Sequence, residues 1–287
     1  MELIRADTYY YIRAKRVHFL RVVGTLVFAL LAPVLVFWEP AWGDGVAAIA
    51  GAWVLLGRTL LSWLEDRFVL RAVTIQEQFD VELFDLEWNE SLAGPKAAPE
   101  DISSAAMKVH KDKQASKLRD WYANDDQAPW PLNVLLCQRS SAVWGRRGHI
   151  QYAFVILGLG VAWLIAGLVM ATVAHITVGG YLIKVFLPSQ PAFLDTLDLF
   201  RGHLSQSQAK EALELKTTEL WTRGVGDLDS VTAQDCREVQ DQSYQLRRRG
   251  IQIPQLIYKL RRKQDEKAMR AAVSRLIKGH FDDVSSP

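Results

Sequence analysis

The residues that could carry chemistry in this 287-residue chain are few and scattered. Six histidines, at positions 18, 110, 149, 175, 203 and 280, show no metal-ligand spacing, and the two cysteines, Cys137 and Cys236, form no C-x-x-C pair. The sequence has no G-x-x-x-x-G-K-[ST] phosphate loop, no H-E-x-x-H zinc helix and no G-x-S-x-G nucleophile turn. Gly158 and Gly160 fall inside an apolar run, which argues against a phosphate cradle. No catalytic residue, metal ligand or cofactor is therefore expected, and the chain does not read as an enzyme. Three ionisable residues in apolar surroundings are more informative: Arg58, His175 and Lys184. An ionisable group in such a setting is costly and marks a candidate ion path or gate. The plainer alternatives are a snorkelling Arg58, an interfacial His175, and a shifted or re-entrant span at Lys184.

The elements that must position these residues are apolar. Val22–Trp38 is a run of 17 uncharged residues, and Ile150–Ile183 is a run of 34. The longer run as one helix would extend about 51 Å, well beyond a hydrocarbon core of about 30 Å. Four spans are expected: Val22–Trp38, Val46–Leu64, Tyr152–Val173, and a fourth from about Ile176 to Phe193 after a turn near His175 and Gly179-Gly180. Arg58 then sits six residues from the end of the second span, about 9 Å at helical rise. Lys184 lies about 12 Å into the fourth span, which must also accept Pro188 and Pro191. Small residues recur at helix-packing intervals, Ala47/Gly51 and Gly158/Ala162/Ala166. Such rows serve either packing within one bundle or packing between subunits.

Charge distribution orients the spans. The first loop, Glu39–Gly45, has two acids and no base, whereas Arg13, Lys15, Arg16 and Arg21 precede the first span. Arg139, Arg146 and Arg147 precede the third span, and 16 Lys and Arg follow Phe193. Positive residues stay inside, so both termini and the central loop are expected in the cytoplasm, with both cysteines reduced. The chain divides into a cytoplasmic N-terminal segment (1–21), a first transmembrane hairpin (22–64), a loop module (65–149), a second hairpin (150–194) and a helical tail (195–287). The fold class is all-α: an integral membrane protein with four transmembrane helices, a helical cytoplasmic loop module and a helical C-terminal tail.

The 85-residue loop carries 11 bases and 14 acids. The second span is expected to run on as helix to Phe84, with Ile75, Phe79, Leu83 and Phe84 on one face. That helix is either a stalk or a collar at the inner mouth of a pore. Pro99-Glu100-Asp101 reads as a helix start. Trp121-Tyr122, Trp130, Arg139, Trp144 and Arg146-Arg147 place aromatic rings beside guanidinium groups, a combination that can stack a base and bind its phosphates. Trp144, Arg146 and Arg147 also fit the role of interface anchors. The tail reads as helices Ser205–Trp221, Ser230–Arg249 and Pro254–Gly279, the last one basic and amphipathic.

Five segments, in order, resemble the S-4TM family of pore-forming effectors. They are Thr74–Phe84, Trp88-Asn89, Ser91–Lys96, Leu118–Tyr122 and Val134–Ser140. The layout of two spans, a loop, two spans and a charged tail is similar over nearly the whole chain. The resemblance implies a prokaryotic inner-membrane effector of antiphage defence, found beside a nucleotidyltransferase that makes a cyclic di- or trinucleotide. It implies leakage of the membrane followed by cell death or growth arrest. Within the shared segments, side-chain chemistry makes Gln78, Trp88, Asn89, Trp121, Tyr122 and Arg139 the candidate ligand residues, with Arg58, His175 and Lys184 the candidate pore or gating residues. The expected partners are the lipid bilayer, further copies of the chain and the cyclic oligonucleotide, and neither DNA nor RNA. The sign of control is open, since the messenger could open the pore or hold it shut. The rival reading is a non-pore membrane receptor or scaffold whose basic helical tail recruits a partner.

Overall fold

The computed structural model describes residues 1–109, 122 and 128–281. Among these the chain is helical and contains no strand. It divides into two compact units. A polar unit comprises Met1–Ile12, Phe68–His149 and Ser205–Pro287, and an apolar unit comprises Arg13–Arg67 and Ile150–Leu204.

The N-terminal helix α1 runs over Glu2–Trp38, with Glu2 in its first turn where an acid favours the helix dipole. A short 3-10 turn at Pro40–Trp42 leads into α2, Gly43–Leu56. A π-turn at Gly57–Leu61 joins α2 to α3, Ser62–Phe84, so the second span does run on as helix to Phe84. Helix α4 is the single turn Glu90–Ala93, and α5 is Pro99–Met107, starting at its proline with Glu100 and Asp101 in the first turn. Helix α6 spans Leu132–Val173. Helix α7, Val178–Tyr181, passes through a second π-turn at Leu182–Phe186 into α8, Leu187–Gly226. Helix α9 is Ala233–Arg248, opened by a reciprocal Thr232–Asp235 capping box, and α10 is Gln255–Phe281.

The turn after α6 falls at His175 as expected, without the two glycines. His175 takes a left-handed conformation (φ 51°), and Thr177 accepts a hydrogen bond from the Gly180 amide at 3.2 Å. The chain therefore reverses at His175 to Thr177, before the glycines, and Gly179-Gly180 lie inside the capped helix. Pro191 lies within α8, and both prolines follow directly on the wide π-turn. Their missing N–H groups are less disruptive where the i−4 register is already interrupted.

In the polar unit, Leu132, Leu135 and Leu136 of α6 pack with Trp221 of α8, Val239 of α9, and Val273 and Ile277 of α10. The sequence places the apolar stripe of the last helix at Ile257, Leu260, Met269, Ala272, Leu276 and Phe281, whereas the face buried among the described side chains runs through Met269, Val273 and Ile277. A second cluster joins Ala6 and Tyr10 of α1, Ala72 and Ile75 of α3, and Ile102, Ala105 and Ala106 of α5. Arg5 locks this arrangement by donating to the carbonyl oxygens of Ala106 (2.6 Å) and Val109 (3.1 Å) at the end of α5.

The apolar unit leaves large hydrophobic side chains exposed along every helix: Leu31 and Val34 of α1, Ile49 and Leu55 of α2, Leu159, Ile165 and Val169 of α6. Two helices, Gly43–Phe84 (α2 to α3 through the π-turn) and Leu132–Val173, are long and apolar enough to cross a membrane. Inside the unit, Trp53 lies against Gly24, and Phe28 tilts onto the Trp53 ring at 5.9 Å between centroids. At the charged end, Arg21 of the basic lead-in pairs with Glu65 (3.3 Å), whose other oxygen lies 3.0 Å from His18 Nδ1. A Cβ at position 24 would stand 1.9 Å from the Trp53 ring. We expect Gly24→Ala to destabilise the protein by about 1–3 kcal/mol through overpacking, measured by thermal unfolding in detergent. Gly51→Ala, in open space, is expected to leave stability unchanged by the same measurement.

Candidate functional site

Helix α3 carries Gln76, Glu77 and Asp80 on a face that the sequence marks as polar, yet all three are buried, Asp80 completely. They meet α9, which presents Arg237, Gln240, Ser243, Tyr244 and Arg247 at helical spacing, all buried or half-buried. Arg247 donates to Asp80 at 2.6 Å and to the Ser243 hydroxyl at 3.0 Å. Arg237 donates to Glu77, to Asp241 (2.9 Å) and to the Glu87 carbonyl (2.9 Å). Gln240 Nε2 bridges the two acids, donating to Glu77 (2.8 Å) and Asp80 (3.1 Å). Its own oxygen accepts from Gln138 of α6 at 3.2 Å, and Gln138 also donates to the Cys236 carbonyl. Tyr122 closes the other side by donating to Asp80 at 2.7 Å.

Two acids and two guanidinium groups face each other here in a shell that excludes water. Burial raises the Glu77 carboxyl, and Arg247 and Arg237 pull it back down. Burial opposes the charge on Arg247, and Asp80, Tyr122 and Glu77 more than offset this and hold it charged. Burial followed by the Asp80 charge pushes the Tyr122 hydroxyl up, so it stays a donor, and pushes the Cys137 thiol up to about 12. A third carboxyl, Asp7 of α1, is raised well above the usual range by burial and by Asp80. Such networks are costly to half-satisfy and fix a unique register when complete.

In the apolar unit, the two π-turns hold Arg58 and Lys184, the basic residues expected within the second and fourth spans. Wide turns of this kind are often found at functional positions. Arg58 donates to Asp195 at 2.9 Å in an exposed ion pair. Among the described residues, no group of three or more His, Cys, Asp or Glu could hold a metal ion.

The pattern of the SMODS-associating 4TM effector domain matches residues 1–276. The chain belongs to this family. It is 28% identical over 285 residues to a Bacillus cereus (strain VD146) protein described as a probable CBASS effector molecule, covering 97% of this chain and 95% of the relative. No solved structure matches it significantly.

Five of the six residues expected to bind ligand make side-chain hydrogen bonds among the described residues. Tyr122 and Asn89 reach the charge network, Tyr122 through Asp80 and Asn89 by donating to Asp241 at 2.9 Å. Asn89 also caps α4 by accepting from the Leu92 amide (3.2 Å). Trp88 donates to the Gly94 carbonyl at 2.9 Å, and Lys96 lies over its ring. Arg139 stands apart, donating to Thr218 (2.9 Å) and pairing with Glu214. Gln78 donates to Glu82 one turn along α3 (3.2 Å), while its own Oε1 is buried without a partner. Trp121 and the side chain of Lys184 lie outside the described residues. His175 forms the turn between α6 and α7.

Sequence reasoning missed Glu77, Asp80, Arg237 and Arg247. The i, i+3 spacing of the two acids was visible, but nothing in it distinguishes a buried pair from a solvated face. Leu83, expected on the apolar face, is exposed instead. We expect Arg247→Met to destabilise the protein by about 3–5 kcal/mol, because Asp80 is left buried and uncompensated. The double variant Arg247→Met/Asp80→Leu should recover part of that loss, and denaturant unfolding of the four-member cycle reads the coupling.

Proposed function

We propose that this chain is a membrane-disrupting, pore-forming effector of a prokaryotic antiphage defence system of the CBASS type. It acts in the inner membrane with both termini in the cytoplasm. A cyclic di- or trinucleotide, made by an associated nucleotidyltransferase, binds on the cytoplasmic side and shifts the population of a conducting state. The outcome is leakage of the membrane and death or growth arrest of the cell.

The observation that carries this reading is the exposed apolar surface of the whole apolar unit, where the other unit buries a hydrophobic core. Exposure on that scale in a water-soluble domain would cause aggregation, whereas in lipid it is the expected surface. The family membership and the printed description of the Bacillus cereus relative support the defence role. Four spans are part of this reading: two are supported by the long apolar helices Gly43–Phe84 and Leu132–Val173, and the other two are assigned to 22–38 in α1 and to about 176–193.

Oligomer formation is supported by Gly51 and Gly158. Each lies in a row of small residues and has open space where a Cβ would stand, so neither row is used in packing within the chain. Close approach of helix backbones between copies is what such rows permit. The exposed Arg58–Asp195 pair and the two π-turns place charge and irregular backbone in the apolar unit. Both are tolerated where a helix borders water or protein and are costly against lipid.

The test is dye release from liposomes carrying the purified protein, with and without a panel of cyclic di- and trinucleotides. Release that changes with one nucleotide is the expected result. Release that ignores every nucleotide would move sensing to a partner, and no release under any condition would return the reading to a scaffold. In the same liposomes, Lys184→Met is expected to change conductance, and unchanged conductance removes Lys184 from the ion path.

A further inference from the structure

Inside the apolar unit, four helices bring a buried polar side chain to one level. His18 of α1 is 2% exposed, and its Nδ1 lies 3.0 Å from Glu65 of α3. Arg21 holds the other Glu65 oxygen at 3.3 Å. His203 of α8 is fully buried, with the Tyr152 ring of α6 edge-on to it at 4.8 Å. Burial, and then the nearby His18, lower the His203 imidazole to about 4. These contacts set residues 18, 65, 152 and 203 at one depth on their helices.

On three of the four helices an arginine stands two residues from this layer, about 3 Å at helical rise: Arg16 on α1, Arg67 on α3 and Arg201 on α8. All three are exposed, and among the described residues none of them forms an ion pair. Arg67 lies over the Trp63 ring at 4.9 Å. Other arginines of α1 and α6 are paired with acids of the chain: Arg21 with Glu65, Arg146 with Glu214 and Arg147 with Asp265. Asp66 and Asp198, exposed near the same level, stand beyond ion-pair distance of the three guanidinium groups.

Each of the three arginines adjoins exposed apolar side chains on its own helix. Phe19 and Leu20 follow Arg16, Leu60 and Trp63 precede Arg67, and Leu194 and Leu197 precede Arg201. A phospholipid offers both halves of such a site in one molecule, a phosphate for the guanidinium and an acyl chain for the apolar surface one turn away. A soluble anion would use the guanidinium alone and leave that surface in water. The exposed Trp63 ring fits the same headgroup depth. A zwitterionic lipid brings its own ammonium to compete for its phosphate, whereas an acidic phospholipid leaves the phosphate to the planar guanidinium fork.

We propose that Arg16, Arg67 and Arg201 bind the phosphates of acidic phospholipids, at the end of the apolar unit where the chain passes into the polar one. The buried His18–Glu65–His203 layer holds the three at one depth. The inference rests on the membrane part of the function proposed above and is independent of the pore and its messenger.

The experiment counts lipids retained by the full chain, purified in detergent and titrated with phosphatidylglycerol or phosphatidylcholine, by native mass spectrometry. The parent is expected to bind phosphatidylglycerol about tenfold more tightly than phosphatidylcholine. R16Q/R67Q/R201Q should lose that preference at an unchanged melting temperature, and each single substitution should lose part of it. R249Q/R270Q/R275Q removes the same charge from exposed positions of the polar unit and should keep the preference. Excess inorganic phosphate should not displace the lipid.

Equal retention of the two lipids by the parent, an unaltered preference in R16Q/R67Q/R201Q, or an equal loss in both triple variants overturns the site. Displacement by inorganic phosphate overturns it as well, in favour of a soluble anion. Flotation of the parent with phosphatidylcholine vesicles after an alkaline wash separates this inference from the reading beneath it. Insertion there without a phosphatidylglycerol preference defeats the lipid site and leaves the membrane reading standing, whereas failure to insert defeats both.

Discussion

Four buried charges constrain the polar unit more than any other interaction. Glu77 and Asp80 stand one helical turn apart on α3, and Arg237 and Arg247 stand ten residues apart on α9, with Gln240 between them. None of these groups is tolerated alone in a water-excluding environment, so the two helices can meet only in the register that satisfies all of them. The apolar contacts of Leu132, Trp221, Val239 and Ile277 would permit neighbouring registers at modest cost. The ionic contacts do not. Further groups then depend on the same frame: the Tyr122 hydroxyl on Asp80, the Asn89 amide on Asp241, and Arg237 on the Glu87 carbonyl that opens the Trp88–Lys96 loop.

The apolar unit obeys a different constraint. Its stability cannot come from hiding hydrophobic surface, because that surface faces outward. Its specificity comes from close approach of small residues to rings and hydroxyls, as with Trp53 on Gly24, Tyr181 on Gly167 and Thr196 on Gly160. Two of its cations, Arg58 and Lys184, sit where the backbone opens into a π-turn. All four passages of the chain between the units fall inside helices, within α1, α3, α6 and α8.

The all-helical class was legible in the sequence for direct physical reasons. Uncharged runs longer than any soluble core specify helices for an apolar medium, and all-helical structure follows because the backbone must satisfy itself there. Helix boundaries with local chemical signals were equally legible, such as the start at Pro99, the break from Gly250 to Pro254, and the end at Val173. The turn expected near His175 and Gly179-Gly180 falls at His175 alone, because Thr177 caps the next helix and draws the two glycines into it.

What only the tertiary structure decided is which polar residues are inside. Hydrophobic periodicity assigns charged positions to solvent, so Glu77 and Asp80 read as a wet face, and their partners lie more than 150 residues away. Tyr122, Asn89 and Arg139 carried chemistry suited to a ligand, yet each is held by an acid or hydroxyl from a distant segment.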